Sequence, residues 1–128
     1  MNTPTSGLIM AGCDREAIKA GWRIERYKPR GADGHGTGRP ERRYLSLVHN
    51  LAIWVTFIDA SPASRLTAMQ YNWLQVELKG GRFAVAIDSI RAFDRLLQLA
   101  SRDRHEELLR MCKGLVEFGV TKDAEHLQ

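Results

Sequence analysis

The sequence predicts an α+β protein: a five-stranded antiparallel sheet with a short helix between strands three and four and two C-terminal helices. Three observations carry that prediction. Residues 74–87 alternate apolar and polar side chains on both sides of Gly80-Gly81. Residues 51–58, LAIWVTFI, concentrate β-branched and aromatic side chains. Residues 90–118 repeat apolar side chains at helical spacing. A chain of 128 residues suits one domain with a core of its own, so residues 1–128 read as a single domain.

Residues 1–12 read as loose. Asp14 then caps a short helix, DREAIKAG, with Glu16 in its first turn and Lys19 near its end. Gly21 suits the left-handed position that closes such a helix, and Trp22 packs back over it. WRIERYK, 22–28, reads as the first strand. A long basic, glycine-rich loop follows at 29–42. RYLSLV and AIWVTFI read as strands two and three, although 44, 48, 51, 55 and 58 would also share one face of a helix.

Ser61-Pro62 reads as a helix start, a hydroxyl cap followed by proline in the first turn, with the helix covering 62–71. Strands four and five form a hairpin about Gly80-Gly81, a two-residue turn. In that register Leu78 faces Phe83, Val76 faces Val85 and Leu74 faces Ile87, which places every large apolar pair on one side. Asp88 or Ser89 caps the next helix, whose inner face is Ile90, Phe93, Leu96, Leu97 and Ala100. Asp103 caps the last, which runs to about Phe118. Its wide apolar stripe, including Leu115 and Val116, fits deep burial or a dimer seam, and Gly114 within it suggests a close neighbour. Residues 120–128 read as a polar tail.

That order of elements is the order of an OB-like barrel, and an open curled sheet backed by helices fits nearly as well. In such a barrel the loops joining strands one to two and four to five flank the ligand. Both are cationic here. Residues 28–43 hold Lys28, Arg30, Arg39, Arg42 and Arg43 against Asp33 and Glu41, three of the chain's net charge of +4. Lys79 and Arg82 bracket Gly80-Gly81.

Several classes of function are disfavoured. The longest apolar run is too short to cross a bilayer, and the first residues lack the basic flank of a secretory signal, so the chain reads as cytoplasmic. Cys13 and Cys112 are distant in sequence and read as reduced thiols. Zinc would need more ligands at closer spacing, and no cofactor is implied. GHGTG lacks the lysine and hydroxyl of a phosphate-binding loop. The four histidines form no catalytic pattern, so an enzyme is the less favoured reading.

What remains is a small accessory protein that binds nucleic acid, preferring single strands with weak sequence discrimination. Arg30, Arg39, Arg42, Arg43, Lys79 and Arg82 would contact phosphates, and Tyr27 or Tyr44 would stack on bases. Trp54 reads as core. The plain alternative for the loop is a solvated hairpin connection. The alternative function is an adaptor or inhibitor that binds another protein through the last helix or the hairpin face, possible as a homodimer.

Overall fold

The structure is a computed structural model that describes residues 4–28 and 38–122. It is α+β, with four helices and an open, four-stranded mixed sheet. The elements run α1 (Ser6–Lys19), β1 (Arg23–Arg26), β2 (Arg42–Ser46), β3 (Leu51–Phe57), α2 (Ala68–Lys79), β4 (Phe83–Ile87), α3 (Ile90–Ser101) and α4 (His105–Thr121). The strands lie in the order β1-β2-β3-β4. The first three form an antiparallel meander. β4 then joins β3 in parallel, with α2 as the crossover helix that a parallel pair requires.

The five-stranded antiparallel sheet is therefore corrected, and the error has one source. Residues 74–79 are the last turns of α2, not a strand. Leu74 and Leu78 are buried one helical turn apart, whereas Val76 points to solvent with 63% of its surface exposed. Thr67 starts the helix through a capping box: its hydroxyl accepts from Gln70 N–H, and the Gln70 side chain accepts from Thr67 N–H. Ser61-Pro62 makes only a turn. Gly80 ends α2, and Gly81, at φ +80, lets the chain reverse into β4.

The N-terminal helix also starts earlier than the sequence implies. Thr5 caps α1, and Asp14 lies inside it. Residues 6–12 are thus helical, and Ile9 and Cys13 sit in the core. Gly21 takes the expected left-handed φ, and Trp22 N–H donates to Ala17 O across the turn. Asp103 is not a cap either. It occupies a left-handed position in the turn before α4, and Arg104 is the capping residue without a side-chain bond.

Strand register assigns the two faces of the sheet. Tyr44 pairs with Ile53, and Ile53 with Phe83, so Tyr44, Ile53, Val55, Val85 and Ile87 share one face. Helices α1 and α3 cover it: the Tyr44 ring lies 4.8 Å from Phe93, and its hydroxyl donates to Asp14 at 2.7 Å. The opposite face carries Glu25, Arg43, Trp54, Thr56, Ala84 and Ala86. Helices α2 and α4 cover its β4 end. At Gly119 α4 packs closely, because a Cβ there would stand 3.0 Å from Leu66 and 3.1 Å from Ala86. Gly114, expected to fill that role, has open space around it.

Leu108, Cys112, Leu115 and Val116 of α4 are buried within the chain. The seam read into this helix thus has its central residues inside the fold. No helix among the described residues is long and apolar enough to cross a membrane.

Candidate nucleic-acid interface

On the face opposite α1, strand pairing builds one continuous row of side chains. Glu25 pairs with Arg43, and Arg43 pairs with Trp54. Cross-strand neighbours on one face touch, and these do. Arg43 Nη1 lies 2.8 Å from Glu25 Oε1, and its guanidinium lies 5.4 Å from the Trp54 ring centre. Tyr27, two residues beyond Glu25, continues the face past the end of β1, held by Tyr27 N–H to Glu41 O at 2.8 Å.

Tyr27 and Trp54 rings lie 5.3 Å apart, and Trp54 meets Trp73 of α2 edge-on at 4.9 Å. The Arg39 guanidinium sits 4.4 Å over Tyr27. Three half-buried aromatic rings thus pack in series, with a guanidinium group against each of the first two, along the part of the sheet where Arg23 and Arg39 are exposed.

The electrostatics follow from these contacts. The hydrogen bond from Arg43 holds the Glu25 carboxyl below its ordinary range. Partial burial, then the hydrogen bond to Glu25, pushes the Tyr27 phenol up, so it stays protonated and donates to Glu25 at 3.1 Å.

The row opens at one end into a groove of about 270 Å³, lined by Arg43, Leu51, Trp54, Arg82 and Phe83 among others. This groove joins Arg43, the residue that follows the first predicted cationic loop, to Arg82 of the second. Arg82 reaches it from the α2–β4 turn, where its guanidinium is paired with Glu77 and remains 56% exposed. Lys79 is exposed at the end of α2 and does not line the groove.

Two predicted site residues belong elsewhere. Arg42 and Arg43 are adjacent on a strand, so their side chains leave opposite faces. Arg42 turns under α1 and forms a forked ion pair with Asp14 at 3.2 Å, the two side chains only 13% and 15% exposed. Tyr44 is buried beside it on the same Asp14, and its phenol is pushed far up by burial and by that hydrogen bond. Neither reaches a ligand on the outer face. Arg30, with most of the glycine-rich loop, lies outside the described residues.

Trp54, read as core from the sequence, and Trp73, which the sequence did not single out, are the added candidates. The signal for Trp54 was its position between Ile53 and Val55: if those two face the core, the residue between them faces out.

Cys13 and Cys112 are buried free thiols, and burial pushes both up, Cys112 to about 12, so neither is a nucleophile at neutral pH. Among the described residues, no group of three or more His, Cys, Asp or Glu side chains is placed to hold a metal ion. Comparison with protein-family models, with curated proteins and with solved structures finds no match.

Proposed function

We propose that the chain binds single-stranded nucleic acid across the outer face of β1–β3, with weak sequence discrimination. The observation that carries this reading is the ladder Tyr27–Trp54–Trp73, with Arg39 against Tyr27 and Arg43 against Trp54. Aromatic rings accept any base by stacking, and guanidinium groups meet both base planes and phosphates. The ion pairs of Arg43 with Glu25 and of Arg82 with Glu77 do not forbid this role. Both are partly exposed, and exposed pairs contribute at most about 1 kcal/mol, so a phosphate can replace the carboxylate at small cost.

The reading differs from the sequence expectation in its cast. Arg39, Arg43 and Arg82 supply the phosphate contacts and Tyr27, Trp54 and Trp73 the stacking. With three phosphates neutralised, at ~0.7 each for a single strand, log affinity falls with log salt at a slope of roughly −2. Six contacts would have given roughly −4.

Fluorescence anisotropy of a labelled oligonucleotide across a salt series measures that slope. Trp54→Leu in the same assay weakens binding by about 1–3 kcal/mol, the usual worth of one stacked base. Undiminished affinity in Trp54→Leu contradicts the ladder.

A further inference from the structure

The β2–β3 turn carries the two most exposed large apolar side chains among the described residues, Leu47 at 73% and Val48 at 87%. The turn is braced. His49 N–H donates to Ser46 Oγ at 3.1 Å, Asn50 takes a left-handed φ of 52°, and the His49 ring meets Asp103 of the α3–α4 turn at 3.4 Å. A fixed tip therefore holds two aliphatic side chains out in water.

The residues that follow the tip, Asn50 and Leu51, line the groove that leads to Arg43, Arg82 and Trp54. Apolar tip, cationic groove and aromatic ladder thus form one path. Two side chains on a projection are far too few for a stable protein interface, which buries about 800 Å² per partner. They suit insertion, as apolar side chains wedge against base pairs and unstack them.

Resting on the single-strand reading above, we propose that the preferred ligand is a junction between paired and unpaired nucleic acid. Leu47 and Val48 press on the terminal base pair, and the single strand leaves along the groove to the ladder. The strand leads from the turn toward the ladder: from Ser46, where β2 ends, back to Arg43 it covers about 10 Å at ~3.3 Å per residue, room for about three nucleotides at a stacked spacing of ~3.4 Å.

The test uses three labelled probes: a single strand, a blunt duplex and a fork with one unpaired arm, the fork carrying 2-aminopurine in its last base pair. The full chain binds the fork about tenfold more tightly than the single strand and brightens the 2-aminopurine as it unstacks. The double variant Leu47→Ser/Val48→Ser, altered only at exposed positions, binds fork and single strand equally and leaves the probe dark. Trp54→Leu weakens binding to both. A fork preference that survives in the turn variant, or its absence from the full chain that still binds single strands, overturns the wedge and leaves the ladder standing. Failure of all three probes to bind overturns both.

Discussion

Replacing Arg42 with methionine keeps most of the side chain's length and removes its charge. Arg42 Nε and Nη2 both donate to the Asp14 carboxylate, and Tyr44 O–H donates to the same group at 2.7 Å. In Arg42→Met the carboxylate keeps only the phenol as partner, in a site where its side chain is 15% exposed. Breaking a buried pair from one side costs about 3–5 kcal/mol, because a charge is left without compensation. The residual exposure places this pair near 3. For a chain of this size that lowers Tm by roughly 12 °C, at about 4 °C per kcal/mol.

Removing both partners, as Arg42→Met/Asp14→Leu, leaves no orphaned charge. Only the Tyr44 hydroxyl then lacks an acceptor, at about 1–3 kcal/mol. The double variant is therefore no less stable than the single one, against the usual expectation that damage accumulates. Urea unfolding of the two variants reads the difference. A loss below about 1 kcal/mol in Arg42→Met, or a double variant weaker by the sum of two independent losses, refutes the buried pair. The same Arg42→Met protein keeps the salt slope of the unmodified chain, since its guanidinium faces α1.

Two glycines of α4 respond in opposite directions. Gly114→Ala meets no atom within 4 Å and raises stability by up to about 1 kcal/mol through helix propensity, whereas Gly119→Val drives branches into Leu66 and the Ala86 Cβ and costs about 1–3 kcal/mol, both read by thermal melts. Glu41 is held by burial above its ordinary value of 4.5, with Phe57 N–H donating to it at 3.3 Å. Its folded form binds the proton more tightly than its unfolded form, so its contribution to stability falls as pH rises from 4.5 through the raised value and is flat beyond. Glu41→Gln, whose amide oxygen can still accept from Phe57, removes that fall, and urea midpoints at acidic and neutral pH show whether it does.

The parts legible in the sequence are those where one signal stood alone. Ser89 followed by Ile90, Phe93, Leu96, Leu97 and Ala100 has a cap and one apolar face, and α3 begins there with four of those five side chains buried. Residues 51–57 carried two signals, a shared helical face and a run of β-branched and aromatic side chains, and the second decided correctly for a strand. Residues 74–79 misled because Leu74, Val76 and Leu78 satisfy two periods at once. A strand needs all three on one side, whereas a helix needs only Leu74 and Leu78. The deciding signal lay upstream, in Thr67 and Gln70 at capping-box spacing.

The site was half legible for a related reason. Charge density marked the neighbourhood of residues 39–43, but adjacent strand residues point to opposite faces, and composition does not say which is which. Only pairing with β3 sends Arg43 to Trp54 and Arg42 to Asp14. Trp73 was hidden by the same misassigned strand, since its approach to Trp54 depends on α2 crossing the sheet.

The most direct test of the ladder is intrinsic tryptophan emission during titration with a pyrimidine single strand, followed in parallel by anisotropy. Trp54 and Trp73 are half-buried on the outer face, while Trp22 is 6% exposed beneath it. Binding quenches the first two by base stacking and leaves the blue-shifted emission of Trp22. An unchanged spectrum while anisotropy reports bound oligonucleotide would contradict the account.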